Sequence, residues 1–186
     1  MKKHAIFCLL YLISGFLHLT AQTQFITRNG KATFFSRAPL ENIEASNQQV
    51  LSILDTQKGE IAVSMLMKAF KFEKALMEEH FNENYVESAK YPKASFKGVI
   101  KNLNAINFTK DGKYTANVQG EINIHGKSKL ITTTGTVTIK EHKITIDSKF
   151  NLTVKDFEIK IPKLLIDNIA ETVEVTLHLA YEPHKP

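Results

Sequence analysis

The chain has 186 residues, with 24 lysines and arginines against 19 acidic residues, a net charge of +5, one cysteine and no tryptophan. A single cysteine excludes a disulfide framework and any cysteine-rich metal site. The basic excess is almost all lysine, since Arg28 and Arg37 are the only arginines. These lysines stand singly among glutamates and aspartates, which excludes the clustered basic surface of a nucleic-acid binder.

The N-terminus reads as a secretory signal peptide over residues 1–21. Lys2 and Lys3 supply a basic start, Ala5 to Leu19 form an apolar run without an acidic residue, and Leu19-Thr20-Ala21 offers a small residue before Gln22. The run is too short for a confident membrane anchor, and no later segment is apolar enough to span a bilayer. Cleavage near Ala21 removes Cys8, so the mature chain has no thiol. It leaves one domain over 22–186, exported to the periplasm or secreted.

In chain order, Phe25–Phe35, Ile43–Leu54 and Ile61–Phe72 read as strands, with Gln57-Lys58-Gly59 as the turn between the second and third. A helix over about 74–81 follows. At 100° per residue it places Leu76, Met77, His80 and Phe81 on one arc and Glu78, Glu79, Asn82 and Glu83 on the other. Ala94–Leu103 is the next strand. Asp111-Gly112 then signals a turn into a run with Tyr114, Ala116, Val118, Gly120, Ile122 and Ile124 on one face. Ile131–Ile139, Ile144–Val154 and Val173–Tyr181 repeat that alternation, with a turn near Glu141-His142 and a second short helix near 163–169 entered through Pro162. About eight long strands with little helix predict an all-β chain folded as a single antiparallel barrel, because one closed meander removes the sheet edges.

Three patterns carry a family resemblance. A short helix leads through a phenylalanine to Tyr-Pro and an F-x-G strand, as Leu76-Met77, Phe81, Tyr91-Pro92 and Phe96-Lys97-Gly98. A strand then turns at His-Gly, as Ile122-Asn123-Ile124-His125-Gly126-Lys127-Ser128-Lys129. An Asp-Phe-Gly-Ile step before the last strand appears as Asp156-Phe157-Glu158-Ile159, with glutamate where the pattern has glycine. Together they resemble the YceI-like family of exported bacterial lipid-binding proteins, over nearly the whole mature chain. The resemblance implies an extended, lipocalin-like, eight-stranded antiparallel barrel. It also implies an apolar interior that holds an amphiphilic lipid, in some members a polyisoprenoid.

Interior positions mix small residues such as Ala94, Ala116 and Ser148 with Phe34, Met65, Phe72, Phe96, Tyr114, Val118 and Phe150. Such a barrel is either filled by its own side chains or holds a ligand. With the resemblance, these large residues and Leu76, Met77, His80, Phe81 and Tyr85 of the insert become the candidate cavity lining, with His80, Tyr85 and Tyr91 near a head group. The expected partner is an amphiphilic lipid or polyisoprenoid, with no nucleic acid. No cofactor is implied beyond a bound lipid or isoprenoid chain, and the protein is expected as a monomer or homodimer.

Catalytic patterns are absent from the sequence. There is no GxSxG, no HExxH and no glycine-rich phosphate loop, and His80 with Glu83 supplies only two ligands toward a metal. Two other function classes stay open on the sequence. One is an envelope stress or structural factor acting by protein contact through a packed barrel. The other is an enzyme of lipid or isoprenoid metabolism, which would need a cluster of titratable groups inside the cavity.

Overall fold

The computed structural model describes residues 23–163 and 167–184. Its strands are β1 (Gln24–Arg37), β2 (Asn42–Asp55), β3 (Glu60–Leu66), β4 (Lys71–Phe72), β5 (Lys93–Ile100), β6 (Gly112–Ile124), β7 (Lys127–Lys140), β8 (Lys143–Thr153) and β9 (Thr172–Pro183). A six-residue helix, α1 (Ala75–His80), follows the two-residue β4. Each long strand is antiparallel to the one before it, and β1 pairs with β9 as well as with β2. The sheet therefore closes on itself as an eight-stranded antiparallel barrel, the architecture that the alternation predicts.

The tight turns follow from backbone requirements. Ile124 pairs with Lys127 around His125 and Gly126, both at positive φ, and Lys140 pairs with Lys143 around Glu141 and His142, also both at positive φ. Two consecutive positive φ values are the signature of a type I′ hairpin, whose twist matches the flanking strands. At Gly126 a side chain is also excluded by space, since a Cβ there would stand 2.6 Å from the Tyr91 ring. His125 and His142 thus both belong to hairpin turns, as the His-Gly step and the Glu141-His142 pair indicate.

The barrel is not evenly closed. β2 and β3 pair only from Leu51–Leu54 to Ile61–Ser64, and β7 and β8 pair only from Gly135–Lys140 to Lys143–Ser148. These two seams lie on opposite walls, four strands apart in the ring. Both part toward the same end, so two four-stranded halves (β8-β9-β1-β2 and β3-β5-β6-β7) meet at one end and splay at the other. The joined end is sealed by buried Val50, Leu54, Ile106, Val137, Ile139, Ile144 and Tyr181. The splayed end carries the 66–92 insert and the 154–171 connection.

The insert differs from expectation in two respects. The predicted strand Ile61–Phe72 stops at Leu66, passes a 3-10 turn at Met67–Ala69 and resumes as β4 on a different part of β2. Met67 and Phe70, both buried and three residues apart, fit a turn and not a period of two. Asn47 sits where β3 leaves β2. It is fully buried, its Nδ2 donates to the Leu66 carbonyl at 2.9 Å, and its Oδ1 accepts from the Gln49 N–H at 2.8 Å. Helix α1 then widens into a π-turn at Phe81–Tyr85. The helical turn expected over 163–169 falls partly on residues outside those described, and Asp167 and Asn168 form a turn.

Candidate functional site: an apolar cavity between the half-barrels

The space between the splayed halves is a cavity of about 340 Å³. That volume lies at the lower end of the range typical of small-molecule pockets, about 300–1,000 Å³. Its walls come from residues of β1 to β3 and β5 to β9, from the insert and from the connection after β8, and they are overwhelmingly aliphatic and aromatic. Among the described residues, its titratable lining side chains are Glu41, His80 and Tyr85, which come from the 38–41 turn and the insert at the splayed end. Burial raises the Tyr85 phenol above its ordinary range, so it is a neutral hydroxyl at the cavity wall.

Four phenylalanines close much of that end. Phe34 of β1, Phe70 and Phe72 around β4, and Phe81 of the π-turn pack with ring centroids between 5.0 and 5.8 Å apart in tilted, edge-on and stacked pairs. Each such pair adds about 0.5–1.5 kcal/mol beyond the area it buries. The helix carrying Phe81 is tied by two ion pairs. Lys71 Nζ lies 2.5 Å from Glu78 and Lys74 Nζ lies 2.8 Å from Glu41. The Lys71 contact lowers the Glu78 carboxyl, and Glu41 raises the Lys74 ammonium. Exposed pairs of this kind are worth little each, so the phenylalanines hold the insert and the charges orient it.

Phe96 shows why the F-x-G step has its form. Gly98 of β5 faces Gly120 of β6, and the Phe96 ring lies over both. A Cβ at either glycine would come within 2.6 Å of Phe96 Cζ, and one at Gly120 within 2.3 Å of the Lys97 carbonyl oxygen. The two glycines let a large ring lie flat on the wall, where it lines the cavity.

Of the twelve residues read from the sequence as lining, ten line this cavity: Phe34, Met65, Phe72, Met77, His80, Phe81, Tyr85, Phe96, Val118 and Phe150. Leu76 does not; it is 61% exposed on the outer side of α1. Met77, Phe81 and Tyr85, at steps of four through α1 and the π-turn, form the inner side instead. Tyr114 is also outside the lining; it packs against the core toward the sealed end, and its hydroxyl donates to the Lys110 carbonyl at 3.0 Å. Sequence reading missed Phe70, Ile159, Ile161 and Asn168. The Ile159–Ile161 alternation and the Met67–Phe70 spacing were the available signals.

Tyr91, expected near a head group, is part of a clasp instead. His125 Nδ1 lies 2.9 Å from the Phe157 carbonyl oxygen, His125 Nε2 lies 2.7 Å from Glu87, and the Tyr91 ring packs edge-on against the imidazole at 4.5 Å. The three patterns that are far apart in sequence, Tyr91-Pro92, His125-Gly126 and Asp156-Phe157, therefore meet at one point. No group of three or more histidine, cysteine or acidic side chains gathers in a metal-binding arrangement among the described residues. No helix among them is long and apolar enough to cross a membrane.

Solved structures share this architecture. A polyisoprenoid-binding domain from Saccharophagus degradans, implicated in plant cell wall breakdown, superposes with a TM-score of 0.76 at 15% identity, covering 88% of this chain and 99% of that one. BcnA of Burkholderia cenocepacia gives 0.67 at 20% identity, over 81% and 95% of the two chains. The Campylobacter jejuni YCEI protein gives 0.57 at 15% identity, over 81% and 90%. None of the curated proteins compared matches the sequence. The family model of the YceI-like domain matches residues 19–181, which spans the barrel from β1 into β9, and the chain belongs to that family.

Proposed function

We propose that the protein is an exported, non-catalytic binding protein that sequesters or carries an amphiphile with a long apolar chain, an isoprenoid being the leading class. The observation that carries this reading is the cavity itself, apolar along its walls with its titratable lining groups at the splayed end. An amphiphile would place its chain among Met65, Phe96, Val118 and Phe150 and its head near Glu41, His80 and Tyr85. Each buried CH₂ contributes about 0.8 kcal/mol, so a chain of ordinary lipid length binds with few hydrogen bonds. The solved polyisoprenoid-binding relative supports the choice of ligand class, and the signal-like residues 1–21 support export.

Two observations weigh against the other readings. A barrel acting only by protein contact has no need of an internal space of about 340 Å³. An enzyme would need facing acid–base groups, and Glu41 is already committed to Lys74. Displacement of the apolar dye 1-N-phenylnaphthylamine tests the proposal. The wild-type protein should take up the dye and release it to farnesyl phosphate, and Ala94→Phe, which fills the cavity, should weaken dye uptake at least about tenfold. No dye uptake by a folded wild-type protein would refute the reading.

A further inference from the structure

The β7–β8 seam has a consequence for how a long ligand is held. Its last links are the Gly135–Ser148 pairing and the bond from Ser148 Oγ to the Thr134 carbonyl at 2.7 Å. Beyond them neither strand is frayed: β7 stays paired with β6 as far as Lys127, and β8 stays paired with β9 as far as Thr153. The two strands simply stop pairing with each other over 130–134 and 149–153. At about 3.3 Å per residue that leaves a stretch of the wall about 16 Å long without strand pairing. It ends where the 154–158 segment crosses back to the start of β7, tied by ion pairs Lys129–Asp156 and Lys127–Glu158 and by His125 on the Phe157 carbonyl.

The opposite seam is treated differently. There Asn47 fills the gap with its side chain and β4 pairs with Ala45 and Ser46. Among the described residues no side-chain amide or added strand bridges the β7–β8 gap; Leu152 and Phe157, with Ile131 against them, pack at its upper part, and the stretch below them at Thr133 and Phe150 is left unbridged. Of the inward side chains at this gap that line the cavity, Ile131, Thr133 and Phe150 are only half-buried and Leu152 is buried, whereas Val137 and Ile139 further along β7 are fully buried. The outer margin is polar (Thr132, Thr134, Lys149 and Asn151), with Leu130, 66% exposed, as the apolar exception.

We propose that the β7–β8 gap is a lateral port through which the chain of an amphiphile too long for the cavity leaves the barrel. The inference rests on the binding function above. Among the described residues the joined end is closed by buried side chains, the splayed end is occupied by the four-phenylalanine cluster and the head-group residues, and the gap is the remaining opening in an apolar wall. The port sets ligand class, because it removes any upper limit on chain length while the cavity still reads the first units of the chain.

The test uses the full chain with Cys8→Ser and a single new cysteine, Asn151→Cys at the gap or Thr115→Cys on the outer face near the sealed end, each labelled with the polarity-sensitive dye acrylodan. Farnesyl phosphate (three isoprene units) and undecaprenyl phosphate (eleven) are added from the same micelles, and binding is read independently by displacement of 1-N-phenylnaphthylamine. Both should displace the dye. Only undecaprenyl phosphate should blue-shift the label at 151, and neither should shift the label at 115. If both ligands bind and the label at 151 responds to neither, or equally to both, the port is wrong and the binding function stands. If neither ligand binds, the binding function fails and the port fails with it.

Discussion

His125 and Phe157 are 32 residues apart in the chain, and the imidazole Nδ1 of the first is 2.9 Å from the carbonyl oxygen of the second. The contact joins the β6–β7 turn to the segment that closes the top of the β7–β8 gap, and Glu87 and Tyr91 bring the end of the insert to the same imidazole. His125→Ala would leave a buried carbonyl without its donor, a loss of about 1–3 kcal/mol. Urea unfolding of the variant should show a lower midpoint with an unchanged slope.

Glu158, one residue further on, has φ +54 and stands where the family pattern has glycine. The left-handed conformation costs a non-glycine residue about 1–2 kcal/mol, against about 0.4–1 kcal/mol that glycine loses through the unfolded chain. The ion pair to Lys127, at 2.9 Å, is exposed and adds little. Glu158→Gly should therefore stabilise the fold by about 0.5–1 kcal/mol, read as a higher thermal midpoint.

Two groups predict the pH limits of stability. Burial raises the Tyr181 phenol well above its usual value of 10, and Ser52 Oγ is its hydrogen-bond partner at 2.7 Å. A raised value in the fold means that its contribution is fully present below pH 10 and is lost as pH climbs above it. Tyr181→Phe should flatten that alkaline decline at a cost of about 1 kcal/mol at neutral pH. The Glu87 carboxyl is lowered by its bond to His125 from 4.5. Its contribution is present above that value and is lost as pH falls below it, so Glu87→Gln should shallow the acid decline in unfolding midpoint against pH.

Gly120→Ala tests the glycine platform under Phe96. The added methyl meets the Lys97 carbonyl oxygen and the Gly98 backbone as well as the ring, so β5 and β6 must part and Phe96 must move. Overpacking of this kind costs about 1–3 kcal/mol. Uptake of 1-N-phenylnaphthylamine should fall as well, and Gly120→Ala combined with Phe96→Ala should recover part of the lost stability.

The sequence exposes the barrel because period-two alternation survives wherever one face is buried, and β6, β8 and β7 from Ile131 onward keep it. It exposes most of the cavity for the same reason, since Phe96, Val118 and Phe150 are the inward members of alternating runs. The insert is harder. Its apolar residues obey three successive geometries, a 3-10 turn at Met67–Ala69, the α1 turn and the π-turn, and no single period describes them. A wheel drawn at 100° per residue therefore turns Leu76 inward when it faces solvent. The two seams are invisible to alternation, because each strand keeps its own pattern whether or not its neighbour pairs with it. Likewise the His125-Gly126 step reads only as a turn until the fold carries Phe157, Glu87 and Tyr91 to its imidazole.

The central claim is that the barrel holds an amphiphile with a long apolar chain. It is tested most directly by purifying the protein from its native source without detergent, extracting it under denaturing conditions and analysing the extract by mass spectrometry. The account predicts one such lipid in near-stoichiometric amount, depleted in Ala94→Phe. An extract free of lipid, together with a crystal structure whose barrel is filled by side chains, would contradict it.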